Sequence, residues 1–209
     1  MIDNRLAILI LQHPQERREP LATAGLVVAG LANAKIAVGL SWANLAQALG
    51  RPADPRNWAV LHLGAAQPQA LMPGEEIVFL DHGGNPRPGA AGRLRRLDGL
   101  VLLDGSWKEA KTLWWRNPWL LKLHRVVLNP AQPARLGRVR REPRREALST
   151  LEAAALVLRR AESGPEAADA LIAALDRLLA EVRPTATSSP APAPPRLRGR
   201  AIRHRGGWR

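Results

Sequence analysis

Residue types that could do chemistry are concentrated in one stretch, residues 100–119 (LVLLDGSWKEAKTLWWRNPW). A short apolar run at 100–103 ends in Asp104, a helix-start signal opens at Ser106, and four of the seven tryptophans follow. An apolar strand that delivers a carboxylate to a turn and a helix N-terminus is the layout that open α/β sheets use for ligand sites. The neighbouring indoles add flat surfaces for a base or a cation. The stretch therefore predicts a ligand site around Asp104.

The same residues also have a purely structural interpretation. Ser106 followed by Glu109 is a capping box, in which both residues satisfy backbone donors at the start of a helix. A carboxylate at Asp104, close to a helix N-terminus, is favoured by the helix dipole without any catalysis. Taken alone, the stretch favours this structural interpretation over a catalytic one.

Other candidate groups lie outside that stretch. His13 follows the first apolar run, at the sheet edge where ligands sit. A proline-broken basic loop at 129–145 is the best phosphate-binding candidate, although a solvated loop explains its arginines equally well; they are Arg135, Arg138, Arg140, Arg141, Arg144 and Arg145. The histidines are scattered without the paired spacing of zinc ligands, so we predict no metal. Neither GxGxxG after the first strand nor GxxxxGK[ST] is present.

The elements that must position these groups can be predicted from hydrophobic patterning. Short apolar runs predict strands at 6–11, 35–40, 58–63, 77–80, 100–103 and 125–128. Helices are predicted at 24–34 behind a Thr23 cap, from Ser41 to a closing Gly50, from Ser106, from Ser149 to about 162, and after Pro165. A turn is predicted at 71–74 and a loop at 82–92. The alternation indicates an α/β fold with a mostly parallel sheet and helices on both faces.

Composition narrows the class of protein. The 209 residues are 46% hydrophobic, enough for one domain with a core, and the absence of cysteine excludes disulfides, zinc–thiolate sites and cysteine nucleophiles. The net charge of +13 favours a polyanionic partner, although an arginine-rich composition is also typical of a biased genome. The residues from 184 onward carry six arginines and no acid, which predicts a disordered Pro/Ala/Arg-rich tail at 184–209. We expect a cytoplasmic protein that does not enter membranes.

Several motifs in order resemble one known family. They are ILQHPQE at 10–16, Thr23 with Ala24, LMPGEE at 71–76, LLDGSW at 102–107, Asn129 with Pro130, Arg140-x-x-Pro143, and LSTLEA at 148–153. Together they are similar to the DTW-domain family, the tRNA-uridine aminocarboxypropyltransferases, over roughly residues 6–180. The Asp-x-Ser-Trp motif is also similar to that of ribosomal-RNA aminocarboxypropyltransferases. Many bacterial members carry an N-terminal cysteine cluster, which this chain lacks.

The resemblance implies an activity and a fold. Members transfer the 3-amino-3-carboxypropyl group of S-adenosylmethionine to a uridine in tRNA and release methylthioadenosine. The implied fold is SPOUT-like, often with a knotted C-terminal part, in a domain spanning 1–183. Asp104 would be the catalytic residue, more an acceptor that orients the uracil imide than a strong base, and Trp107 would face the sulfonium or wall the pocket.

The resemblance also assigns the remaining contacts. The implied S-adenosylmethionine contacts are Ser106, Trp107, Leu71, Pro73, Gly74, Leu128, Asn129, Pro130, Leu148, Ser149 and Thr150. The residues we expect to bind RNA, most of all tRNA, are His13, Lys108, Lys111, Arg138, Arg140, Arg141, Arg144 and Arg145. Two alternatives stay open: a SPOUT-type methyltransferase that uses the same donor on RNA, and a non-catalytic RNA- or ribosome-binding protein.

Overall fold

The computed structural model describes residues 1–19, 22–61, 74–132, 134–135 and 148–182. Within these ranges the chain forms one seven-stranded sheet. Its strands are β1 (Ala7–Gln12), β2 (Ala34–Val38), β3 (Trp58–Leu61), β4 (Ile77–Leu80), β5 (Pro86–Arg87), β6 (Gly99–Asp104) and β7 (His124–Leu128). The helices are α1 (Ala24–Gly30), α2 (Leu45–Leu49), α3 (Ala90–Arg96), α4 (Trp107–Arg116), α5 (Thr150–Ala161) and α6 (Glu166–Val182).

The sheet has the order β2-β1-β6-β3-β7-β4-β5. Neighbours from β2 to β7 pair in parallel, whereas β4 pairs antiparallel with both β7 and β5. Strand β6 is inserted between β1 and β3, far from its neighbours in the sequence. The carboxyl ends of the parallel strands therefore meet at one edge, where β1 and β6 end side by side.

Helices cover both faces of the sheet, as the alternation of elements predicts. Alternate residues of β1 belong to different apolar clusters: Ile8 and Ile10 pack with α1, α5 and α6, whereas Leu9 and Leu11 pack with α2, α4 and the 3-10 helix Pro118–Lys122. This explains why β1 is buried along its whole length and has no polar face.

Most of the predicted elements are confirmed. Strand β4 has the predicted bounds, and β1, β2, β3, β6 and β7 lie within one or two residues of theirs. Helix α5 begins at Thr150, within the predicted Ser149–Glu152 capping box. Helix α6 follows Pro165 and packs its predicted apolar face, which includes Leu171 and Leu175, into the core. These signals depend only on residues close together in the sequence, so the predictions hold whatever the tertiary structure is.

The loop predicted at 82–92 is wrong in part, because it contains β5 and the start of α3. Glycines and prolines dominate this segment, and α3 buries only Leu94 of its seven residues. A helix that buries a single side chain has no apolar period for a sequence pattern to reveal. Helix α1 is also shorter than predicted, ending at Gly30.

Two predicted caps have other partners in the structure. Asn44, not Ser41, caps α2, and the Ser41 hydroxyl donates to the backbone oxygen of Arg116 at 3.0 Å. Gly50 does close α2, with a φ of 79°. Thr23 precedes α1 as predicted, but its hydroxyl makes no cap bond there. A side-chain hydroxyl that does not cap its own helix can hydrogen bond to another helix that the fold brings close.

A buried amide ties the end of α4 to the segment after β2. Asn117 has no exposed surface and donates to the backbone oxygens of Leu40 (3.0 Å) and Leu113 (2.8 Å). Its Oδ1 accepts from the Trp42 backbone N–H at 2.9 Å and from the Trp119 indole at 3.2 Å. A side chain that satisfies donors and acceptors at once fixes where α4 ends.

Three expectations lie outside what the structure tests. The tail at 184–209 and the boundary of the 1–183 domain fall at or beyond the end of the described residues. The SPOUT-like knot stays a prediction. In the described ranges, no helix combines the length and apolar character needed to cross a membrane.

Replacing Asn117 by Ala should lower the free energy of unfolding by about 2–4 kcal/mol, because several buried polar groups lose their partner at once. Urea titration followed by circular dichroism measures the change. Asn57, an exposed amide that donates to Asp98, is the matched control, and its change to Ala should lower stability by less than about 1 kcal/mol. Equal losses in the two variants would contradict a special role for the buried amide.

Candidate active site

The predicted site is at the carboxyl edge of the sheet, where β1 and β6 end in register. Gln12 pairs with Asp104 as the last residue pair of these parallel strands. Because side chains alternate along a strand, both extend toward the face that carries α1, α5 and α6, together with Ile8, Ile10, Leu100 and Leu102. Two polar side chains thus end two fully apolar runs at one point.

The Asp104 carboxylate is buried, with 4% of the residue exposed, and is hydrogen bonded on both oxygens. The Gln12 side-chain amide donates to Oδ2 at 2.8 Å. The Thr150 hydroxyl, on the first residue of α5, donates to Oδ1. A buried carboxylate without partners would be strongly destabilising, so these two donors account for its burial. Each oxygen keeps a further lone pair for a ligand.

The N-terminus of α5 is held by its own capping box and by contacts from two other parts of the chain. The Thr23 hydroxyl, before α1, accepts from the Leu151 backbone N–H at 3.3 Å. Glu152 accepts from the Ser149 hydroxyl at 2.7 Å and from the Arg135 backbone N–H at 2.6 Å. The end of α5 is therefore a fixed point to which Asp104 is attached.

The turn between Asp104 and α4 depends on Gly105. Its φ is 150°, and a Cβ there would lie 2.9 Å from Cβ of Glu109, so a larger residue is disfavoured. Ser106 and Glu109 form the predicted capping box, with the Ser106 backbone N–H donating to Oε2 of Glu109 at 2.7 Å. Glu109 also lies 3.4 Å from Nδ1 of His13. Glu109, the acidic residue in the first turn of α4, is thus directed inward.

The predicted RNA contacts occupy two different environments. His13 is mostly buried beside Glu109, and its backbone N–H donates to the backbone oxygen of Asp104 at 3.0 Å. Lys108 and Lys111 are exposed on α4, with Nζ of Lys111 5.4 Å from the centre of the Trp107 ring. His13 therefore lies beside the Asp104 turn, whereas the two lysines lie on the outer surface.

The residues predicted to contact S-adenosylmethionine lie on segments around the same edge of the sheet. Those described from the end of β7 to the start of α5 are half-buried: Leu128, Asn129, Pro130, Leu148, Ser149 and Thr150. The hydroxyls of Ser149 and Thr150 already donate to Glu152 and Asp104, and the Ser149 backbone N–H also donates to Glu152 at 3.1 Å. Their hydroxyl oxygens can still accept a hydrogen bond from a ligand. Gly74 lies in a turn with a φ of 93°. Ser106 and Trp107 are exposed where α4 begins.

Several predicted residues lie outside the described ranges. They are Leu71 and Pro73 of the predicted donor site, and Arg138, Arg140, Arg141, Arg144 and Arg145 of the basic loop. Their assignments stay predictions. Within the described part of the chain, no group of three or more His, Asp or Glu side chains is placed to hold a metal ion.

Gln12 is the site residue that sequence reasoning missed. It follows an apolar strand, as Asp104 does, and this shared position at a strand end was the available signal. The pairing itself could not be read from the sequence, since 92 residues separate the two partners.

These features define an α/β protein with a site at the carboxyl edge of a parallel sheet, centred on a buried aspartate that begins an Asp-Gly-Ser-Trp turn. The chain belongs to the DTW domain family, whose model matches residues 1–183. The chain is also 33% identical to a Drosophila melanogaster protein named tRNA-uridine aminocarboxypropyltransferase 2, over 82% of this chain. It spans 62% of the length of that relative. No solved structure matches the chain.

The hydrogen bond from Thr150 to Asp104 can be measured by a double-mutant cycle. Combining Thr150→Val with Asp104→Ala should give a coupling free energy of about 1–3 kcal/mol, because the hydroxyl donates to a buried charge. Thr150→Ser should retain most of the stability. Thr112 is the matched control, because its hydroxyl donates to the backbone oxygen of Lys108. The cycle of Thr112→Val with Asp104→Ala should give a coupling below about 0.5 kcal/mol. Similar couplings in the two cycles would contradict the bond.

Proposed function

We propose that this protein transfers the 3-amino-3-carboxypropyl group of S-adenosylmethionine to a uridine in tRNA and releases methylthioadenosine. The observation that carries the proposal is that the aspartate of the DTW motif is the buried, doubly hydrogen-bonded carboxylate at the ligand edge of the sheet. The family match and the name of the Drosophila relative support the same reaction.

The reaction is a displacement at a saturated carbon. A bond forms between the uracil imide nitrogen and the γ-carbon of the methionine part, and the bond from that carbon to sulfur breaks. The sulfonium is already an excellent leaving group, so the protein must mainly align the nucleophile with the γ-carbon rather than with the methyl group. Good alignment can supply about 7–11 kcal/mol.

Asp104 would accept the imide N–H of uracil. An aspartate is a far weaker base than an imide anion, so it orients the ring and takes the proton late, as the new bond forms. The Gln12 and Thr150 donors keep the carboxylate in one orientation, and the remaining lone pairs are available to the substrate. Such assistance is typically worth ~10²–10⁴ in rate.

The residues around Asp104 could bind a donor substrate such as S-adenosylmethionine, which has an apolar and a polar part. Leu128, Pro130 and Leu148 offer half-buried apolar surface, and the hydroxyl oxygens of Ser149 and Thr150 keep acceptor lone pairs beside the carboxylate. We propose that these segments hold S-adenosylmethionine, together with the predicted turn at 71–74 and with Ser106 and Trp107. Lys108, Lys111 and the arginines of the basic loop would bind RNA phosphates.

Asp104→Asn tests the proposal directly. The amide keeps the shape and one acceptor but cannot receive a proton, so single-turnover transfer should fall by ~10²-fold or more while folding and donor binding stay nearly intact. Asp98→Asn is the matched control, because Asp98 immediately precedes β6, whereas Asp104 is the last residue of that strand. That variant should transfer at the normal rate. Near-normal transfer by a stably folded Asp104→Asn protein would remove Asp104 from the mechanism.

The group transferred is identified by labelling the donor in two places. The wild-type protein is incubated with tRNA and S-adenosylmethionine labelled either in the methyl or in the carboxyl carbon. Carboxyl label entering the RNA supports the proposal. Methyl label entering the RNA would identify a methyltransferase instead, and binding of RNA with neither label would identify a non-catalytic RNA-binding protein.

A further inference from the structure

The outer surface of α4 carries an aromatic–cation–aromatic stripe. Trp107, Lys111 and Trp115 are spaced four residues apart and so share one side of the helix. The exposed fractions are 44% for Trp107 and 78% for Trp115, and Nζ of Lys111 lies 5.4 Å from the centre of the Trp107 ring. The core does not use this surface, since α4 packs inward through Ala110 and Leu113.

The charges nearest the stripe are positive. Lys108 is exposed next to the stripe, whereas the single acidic residue of the helix, Glu109, is directed to the Ser106 backbone and His13. The exposed side therefore presents cations and flat indole rings together. A ligand that matches both must carry negative charges and flat apolar groups.

We propose that the part of this stripe beyond Trp107 binds unpaired nucleotides of RNA, with Trp115 stacking on a base and with Lys108 and Lys111 against phosphates. The proposal rests on the proposed function, from which it takes RNA as the substrate. Bases in a duplex hide their faces from protein side chains, whereas unpaired bases stack readily on aromatic rings. The substrate would therefore be recognised in a loop or another unpaired region.

The position of the stripe fits nucleotides that flank the target uridine. Trp107 is three residues beyond Asp104, and Trp115 is eight residues further along α4. At the rise of an α-helix, the stripe extends about 12 Å from the turn that presents Asp104. A few unstacked nucleotides span such a distance.

Charge also argues against another copy of this chain as the occupant. The net charge is +13, so a second copy would bring further positive charge toward Lys108, Lys111 and Arg116. RNA brings the opposite charge.

The test compares two fluorescent RNAs with the same number of phosphates, a single-stranded oligouridine and a duplex. The full-length wild-type protein should bind the single strand more tightly by fluorescence anisotropy. Trp115→Ala should weaken single-strand binding by about 5- to 100-fold, whereas Trp115→Phe should stay within about threefold, because the ring is kept. Loss of single-strand binding in Trp115→Ala with unchanged melting temperature supports the proposal.

The role of Lys111 is measured by salt dependence. Lys111→Met should make the slope of log affinity against log salt shallower by about 0.7, the value for one phosphate contact on a single strand. The matched control is Arg95→Met, an exposed cation on α3, which packs against the opposite face of the sheet. An equal change of slope in the control would mean diffuse attraction and would overturn the assignment to α4.

Two further outcomes separate this proposal from the proposed function. Normal RNA binding by a folded Trp115→Ala protein overturns the proposed RNA contact of the stripe, even if the wild-type protein transfers carboxyl label to tRNA. If sedimentation also shows that this variant has lost self-association, the stripe binds a second copy of the chain, and the proposal is again overturned. Trp115-dependent binding of the single strand with no transfer by the wild type supports the stripe while the proposed reaction fails. On tRNA, Trp115→Ala should raise KM and leave kcat within about twofold.

Discussion

The buried carboxylate of Asp104 is the constraint around which the edge of the sheet is arranged. Apolar packing between strands and helices is strong but non-directional, so it does not by itself set how α5 meets β6. A buried charge is different, because it is tolerated only when donors surround it in definite directions. Gln12 from β1 and Thr150 from α5 supply those donors. The three elements are thereby joined at one point, beside the segments proposed to hold the donor substrate.

At the Asp-Gly-Ser-Trp turn, the aspartate side chain and the backbone extend in different directions. The side chain of Asp104 extends inward to α5, while the backbone turns at Gly105 and continues outward into α4. Helix α4 is then fixed at both ends, by the capping box of Ser106 with Glu109 and by the buried amide of Asn117. Because its ends are held, α4 presents its exposed tryptophans and lysines from a fixed backbone that begins three residues beyond Asp104. A backbone already held in place loses little entropy when a ligand binds to it.

Much of the fold was predictable because its signals are local. A strand buried on both faces is a continuous apolar run, as in β1, and a capping box places its two partners three residues apart, as in Ser149 and Glu152. Neither signal depends on which element lies next door. Helix α3 lacked such a signal, because a seven-residue helix that buries only Leu94 has no period of its own. Its existence depends on the surface of α5 and β4 against which it packs.

By itself, the sequence determined most of the strands and helices, the motif that contains Asp104 and, through the order of several motifs, membership of a family. Only the tertiary structure decided what Asp104 contacts. Its donors Gln12 and Thr150 are 92 and 46 residues away, and they meet it because β6 is inserted beside β1 and because α5 docks over that edge. The hydroxyl of Thr23 was likewise assigned to α1 by local pattern, yet it accepts from α5. Hydrogen bonds between distant residues depend on the packing of whole elements, and no local spacing encodes that packing.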